Sequence, residues 1–181
     1  RLTPRAIARA GVARTFQVTA TYPSMTVVEN VQIALIAKAG RVFSLLPLAT
    51  RLYRDEALAL LADVGLAAQA ARPAAVLAHG DLKRLELAIA LAGVPRLLLM
   101  DEPTAGMAPA ERGQLMALVA ARVAARALTV LFTEHDMDTV FAHASRVLVM
   151  DRGRLIADGL PATVRADPAV RAVYLGEAAA C

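Results

Sequence analysis

Three short, predominantly apolar runs mark the second half of the chain: Arg96-Leu97-Leu98-Leu99-Met100, Leu128-Thr129-Val130-Leu131-Phe132 and Arg146-Val147-Leu148-Val149-Met150. None alternates between apolar and polar. Continuous runs of this length predict strands buried on both faces of a parallel sheet. A helix separates the first two. Pro109 suits a first helical position, and Leu115, Leu118, Val119 and Val123 mark one apolar face. A shorter helix, roughly Met137 to Ala144, separates the second from the third. The order is β-α-β-α-β, which predicts parallel strands joined by right-handed crossovers.

The first half reads differently. From Met25 to Ala92 no strand is evident. Val27 to Ala37 predicts a helix. So does Asp55 to Val64, where Leu58, Leu61 and Ala62 share a face and Gly65 is placed to stop it. Leu82 to Ala92 predicts a third, with Leu82, Leu85 and Ile89 at i, i+3 and i+7. Gly40 to Thr50, containing Pro47, reads as a loop. The expectation is a helical insert followed by a parallel α/β half, with no internal repeat.

Composition supports a folded α/β chain. Its 181 residues suggest one domain, or one domain with a small lobe. Apolar residues make up 57% and charged residues 20%, which excludes disorder as the overall state. Aromatics are only 4%, so an aromatic-rich β-sandwich is disfavoured. A single cysteine, Cys181, excludes an internal disulfide framework and a cysteine zinc site, and points to a reducing compartment. The mean hydropathy of +0.51 invites a membrane reading. The longest apolar stretch, Leu85 to Met100, is broken by Glu86, Pro95 and Arg96, short of a spanning helix. The opening Arg1-Leu2-Thr3-Pro4-Arg5 begins no hydrophobic signal region and reads like mid-protein sequence, so a fragment or processed chain is expected.

Four constellations carry candidate chemistry. Leu97-Leu98-Leu99-Met100-Asp101-Glu102-Pro103-Thr104 places two carboxylates at the C-terminal end of a strand, where open α/β sheets bind ligands. Asp101 there can hold Mg²⁺, which favours hard oxygen ligands, and Glu102 can take a proton from an attacking water. Alone, the same run reads equally as a strand ending in a solvated acidic turn. Thr133-Glu134-His135-Asp136 follows the next strand, which would bring His135 to the same edge, although a lone histidine there is more often structural. Leu77-Ala78-His79-Gly80-Asp81 precedes a helix whose free N–H groups and dipole favour an anion, a weak signal by itself. Arg14-Thr15-Phe16-Gln17, followed by Met25-Thr26-Val27-Val28-Glu29-Asn30, puts Gln17 where the chain leaves the core; its amide oxygen can reach a metal or water, or it can lie in a plain surface loop.

In order and spacing these segments resemble the ATP-binding subunits of ABC transporters. Gln17 matches the Q-loop, Leu77 to Asp81 the signature motif, and Leu97 to Glu102 Walker B. Ala105-Gly106-Met107-Ala108-Pro109 matches the D-loop, and His135 the H-loop. The resemblance covers nearly the whole chain. Within the family it is most similar to the branched-chain amino acid importer subgroup: the Arg-Thr-Phe-Gln and Met-Thr-Val-x-Glu-Asn segments, the continuation Lys83-Arg84-Leu85-Glu86-Leu87-Ala88, and the tail from Arg152 to Gly159, with Asp167-Pro168 and Val173-Tyr174-Leu175-Gly176-Glu177. Urea transporter and lipopolysaccharide exporter ATPases share parts of that tail.

The resemblance implies a P-loop NTPase core, here incomplete, with a parallel sheet and a helical subdomain insert. The segments expected are 1–17, the end of the core up to the Q-loop; 18–94, the helical subdomain; 95–160, the α/β core; and 161–181, a C-terminal helical tail. It further implies ATP and Mg²⁺, with Glu102 as general base, Asp101 on the metal, Gln17 sensing metal and water, and His135 on the γ-phosphate. Leu77, Ala78, His79, Gly80 and Asp81 would cap ATP bound to the opposite subunit of a dimer. Implied partners are a second ATP-binding subunit, transmembrane permease subunits and, indirectly, a periplasmic or extracellular solute-binding protein. The implied place is the cytoplasmic face of the inner membrane, with the helical insert, the Gln17 region and the Phe43–Leu48 loop as docking surface.

Three departures qualify this. No G-x-x-x-x-G-K-[ST] occurs, and neither lysine, Lys38 or Lys83, follows a glycine-rich loop. In the family that loop precedes the Q-loop, so truncation is the expected cause, and these 181 residues alone are expected to be inactive. Ala78 replaces the usual signature serine, and Ala108 stands where the D-loop often has aspartate. Two alternatives follow. A nucleic-acid-associated ABC ATPase is nominally favoured by a pI near 9.8, but +4 is modest and the arginines are scattered, so no nucleic-acid partner is expected. A degenerate, non-catalytic cassette is favoured by Ala78 and Ala108 and opposed by Glu102 and His135.

Overall fold

The computed structural model describes residues 2–15, 21–41, 51–126 and 128–175. They fall into two compact units, Arg1–Thr133 and Glu134–Cys181. The predicted Gly40–Thr50 loop and the Phe43–Leu48 segment lie almost wholly outside the described residues.

In the first unit, α1 (Pro4–Arg9) is capped by Thr3, whose hydroxyl accepts from the Ala6 amide at 3.3 Å, and leads into β1 (Val12–Arg14). The helices α2 (Val27–Lys38), α3 (Arg54–Asp63) and α4 (His79–Ala92) follow, and then β2 (Leu97–Asp101), α5 (Pro109–Arg126) and β3 (Thr129–Thr133). The three strands are parallel, in the order β1-β2-β3. Ala13 lies opposite Leu98, Leu98 opposite Val130, and Asp101 opposite Thr133. The three helices α2 to α4 are therefore an excursion between neighbouring strands.

One core joins helices and sheet. Val27, Val28, Val31, Leu61, Leu66, Leu85, Leu91, Leu98, Leu115 and Val119 are buried in a single cluster. Ala13, Val130 and Phe132 pack against it, so the sheet offers it the row Ala13–Leu98–Val130 and, two residues on, Met100 with Phe132. Burial then alternates along β2 and β3, and Leu131 is 55% exposed. The expectation of strands buried on both faces is corrected here: within the first unit one face packs on helices, while the other carries partly exposed side chains such as Leu131. Polar links tie the helices together. Arg122 of α5 meets Asp63 at 2.7 Å, and Arg84 of α4 donates to Gln114 at 2.7 Å.

The second unit contains α6 (Met137–His143), β4 (Val147–Asp151), β5 (Arg154–Gly159), α7 (Pro161–Ala166) and the single turn α8 (Pro168–Val170), followed by a wide helical turn over Arg171–Leu175. The third apolar run does form a strand, β4, and within the second unit it pairs antiparallel with β5. The cause is local. Arg152 and Gly153 both adopt positive φ, 46° and 78°, the geometry of a tight two-residue hairpin turn. Val147, Val149, Val164 and Val170 form a small core, while Leu148, Met150 and Leu155 are more than half exposed. The Tyr174 hydroxyl donates to the Met150 carbonyl and pins the tail to the hairpin.

Candidate functional site

The strand β2 ends in Asp101, and its neighbours on both sides hold that carboxylate. The Thr133 hydroxyl, from β3, donates to Oδ1 at 2.7 Å. The Arg14 guanidinium, from β1, meets Oδ2 at 3.3 Å. The Thr133 hydrogen bond, and after it the hydrogen bond and charge of Arg14, hold the Asp101 carboxyl below the usual carboxylate range despite some desolvation. The result is an ionised oxygen donor at the C-terminal edge of the parallel sheet.

Glu102 turns away from the strand in the left-handed region, with φ of 46°. Left-handed backbone is uncommon for a residue with a Cβ and costs on the order of 1 kcal/mol, so surrounding contacts must hold it. Its amide donates to the Thr133 carbonyl at 3.0 Å, extending the β2–β3 ladder, and its carbonyl accepts from the Ala105 amide at 3.1 Å. Thr104, inside this turn, is 1% exposed.

The 77–81 segment begins α4 three residues before the predicted start. Ala78 is the N-cap and offers no side-chain cap, as expected of alanine where serine or threonine would cap the helix. Leu77 is buried, and Asp81 in the first turn accepts from Gln69 at 2.7 Å. This turn meets the 105–111 segment. His79 Nε2 lies 3.0 Å from the Ala105 carbonyl oxygen. A Cβ on buried Gly80 would come within 3.3 Å of the Glu111 carboxylate. The structure thus gathers two of the sequence-selected groups into the first unit, Asp101–Glu102 and Leu77–Asp81, joined through Ala105.

His135 belongs to the second unit, where it is exposed and precedes Asp136, the N-cap of α6. Gln17 lies outside the described residues. The Met25–Asn30 segment has a clear structural role. Thr26 and Glu29 form a reciprocal capping box on α2, and Asn30 ties the preceding turn by accepting from the Tyr22 amide at 2.7 Å and donating to the Tyr22 and Thr26 carbonyls. Sequence reasoning missed Arg14 and Thr133 as partners of Asp101, because the pairing exists only once three strands lie side by side. Thr133, standing directly after an apolar run, was the available signal.

Among the described residues no three His, Cys, Asp or Glu side chains gather as a metal cage. A lone carboxylate beside a hydroxyl does fit Mg²⁺, which commonly takes one or two carboxylates and completes its shell with water and phosphate oxygens.

A family model described as ABC transporter matches residues 2–105, more than half of the chain. The chain belongs to the ABC transporter family. A second model, described as Branched-chain amino acid ATP-binding cassette transporter, matches residues 154–180. The high-affinity branched-chain amino acid transport ATP-binding protein BraF of Pseudomonas aeruginosa is 38% identical over 95% of this chain and 70% of its own length. Its counterpart LivG of Escherichia coli is 39% identical over the same shares. A crystal structure of the ADP conformation of an ATP-binding cassette of an ABC transporter superposes with a TM-score of 0.81, at 30% identity, over 97% of this chain and 72% of that one. A nucleotide-free cassette superposes with a TM-score of 0.80, at 29% identity, over 97% of this chain and 73% of that one. The fold is thus the α/β fold of an ATP-binding cassette.

Proposed function

We propose that this chain is the ATP-binding and ATP-hydrolysing part of an ABC import transporter for branched-chain amino acids. The observation that carries the reading is chain-wide identity of 38–39% to two subunits named for that transport, joined by the subgroup match at the C-terminal end. The geometry at the end of β2 supports the chemistry. Glu102 acts as general base, taking the proton of the water that attacks the γ-phosphate, and Asp101 with Thr133 beside it would hold Mg²⁺, which supplies charge neutralisation on the phosphates. Gln17 reports the state of metal and water, and His135 contacts the γ-phosphate. Leu77 to Asp81 cap the ATP of a second ATP-binding subunit through the backbone N–H groups of the first turn of α4.

Permease subunits carry the solute path. Among the described residues no helix is long and apolar enough to cross a membrane, which is consistent with membrane attachment through such partners on the cytoplasmic face. A solute-binding protein on the far side delivers the amino acid.

The test uses the intact protein that contains this chain, reconstituted with its permease in vesicles. ATP-driven uptake of labelled leucine, and an on the order of 100-fold or larger loss of ATP hydrolysis in Glu102→Gln with ATP binding retained, are expected. Unchanged hydrolysis in that variant would remove Glu102 as the base. Uptake of urea but not leucine would replace the solute assignment.

A further inference from the structure

The end of β2 and the start of α4 are far apart in sequence, yet one side chain links them. His79 Nε2 approaches the Ala105 carbonyl at 3.0 Å, a distance at which the ring N–H donates. The Ala105 amide in turn donates to the Glu102 carbonyl at 3.1 Å. Ala105 is therefore held at both polar ends of its residue, by Glu102 on one side and His79 on the other.

The surroundings fit that ring. Gly106 adopts φ of +75°, and a Cβ there would lie 3.3 Å from His79 Nε2. Glycine both permits the turn and leaves room for the imidazole. Gly80 allows α4 to approach α5 equally closely, since its Cβ would meet the Glu111 carboxylate at 3.3 Å. Glu111 accepts from the Ala108 amide at 3.2 Å, and Arg112 donates to the Met107 carbonyl at 2.9 Å. The 105–108 peptide is thus fastened by α5 at its far end and by α4, through His79, at its near end.

Glu102 needs such fastening, because its left-handed backbone has to be held by its neighbours. We infer that His79 is a positioning residue: its imidazole N–H, bonded to the Ala105 carbonyl, keeps the 102–106 turn in the conformation that aims Glu102. The side chain then works on its own chain's hydrolytic residue. The inference rests on the reading of Glu102 as general base.

The experiment compares His79→Ala, His79→Gln and Glu102→Gln in the intact ATPase. Glutamine carries an N–H at nearly the reach of Nε2, so it should restore the bond. His79→Ala is expected to lower kcat about five- to tenfold, the worth of one lost hydrogen bond to a strained turn, with KM for ATP unchanged. His79→Gln is expected to recover most of kcat. Amide hydrogen exchange over residues 102–108 should quicken in His79→Ala and slow again in His79→Gln, a readout independent of turnover. A raised KM with kcat intact would mean that His79 touches nucleotide instead, and overturns the inference. Unchanged kcat and exchange in His79→Ala also overturn it. If Glu102→Gln keeps full activity, the base assignment fails, whatever His79 does; if Glu102→Gln is inactive and the histidine variants are normal, only the positioning role falls.

Discussion

The two compact units reach order by different routes. In the first, three helices and a parallel sheet share one core, and the largest side chains within it, such as Leu61, Leu85, Leu98 and Leu115, are at most 1% exposed. In the second, four valines make the core and the strands turn Leu148, Met150 and Leu155 outward. The first unit is stabilised mainly by apolar burial. The second depends more on local devices: a tight turn, the Tyr174 bond to Met150, the Arg146–Asp158 pair and the Arg165 guanidinium 5.6 Å from the centre of the Phe141 ring. The lesson is that the unit carrying Asp101 and Glu102 has the rigid packing that fixed carboxylates need, since catalytic geometry is only as firm as its scaffold.

The sharpest test of that contrast is Leu61→Ala, which should cost about 2–5 kcal/mol in urea unfolding, because Leu61 is fully buried and a cavity would remain. A cost below about 1 kcal/mol would show the helical core to be loosely packed. Val149→Ala in β4 should cost less, about 1–2 kcal/mol, from the loss of two methyl groups in a smaller cluster. Equal costs at the two sites would erase the difference between the units. Thr26→Ala should cost about 1 kcal/mol by breaking the capping box of α2, measured as a shift in the urea midpoint. Arg146→Ala should shift the urea midpoint only slightly, less than Thr26→Ala, and become neutral in high salt, because the guanidinium is well exposed.

A pH series adds the smallest effect. The Thr26 hydroxyl, then its amide, hold the Glu29 carboxyl below the usual carboxylate range, against a small desolvation effect and with help from Arg54. A depressed carboxyl favours the folded state fully above its unfolded value of about 4.3, and that contribution is lost as pH falls through the lower folded value. Acid sensitivity below about pH 4.3 should therefore weaken in Thr26→Ala relative to the parent. An identical acid profile in both proteins would show that the box does not set the Glu29 ionisation.

Much of this arrangement was legible in the residues. Leu97–Asp101 and Thr129–Thr133 announced themselves as strands through predominantly apolar runs, and α2 and α3 formed within a residue or so of their expected bounds. The carboxylates at the strand end were visible for the same reason. Other elements left weaker traces. A strand of three residues, Val12–Arg14, shows no period, and Arg154–Gly159 mixes charge with apolar residues as edge strands do. The start of α4 was placed late because Ala78-His79-Gly80 contains no capping side chain to mark it.

The sequence by itself determined the strands β2, β3 and β4, the main helices, the family and the two candidate carboxylates, because each is written in local period, spacing or residue type. Tertiary structure alone decided three things. It set which face of the sheet is covered, since burial is shared among elements distant in the chain. It made the third apolar run half of an antiparallel hairpin. It also brought Arg14 and Thr133 to Asp101 and His79 to Ala105, contacts that span 26 to 87 residues and exist only when separate strands and helix ends meet in space.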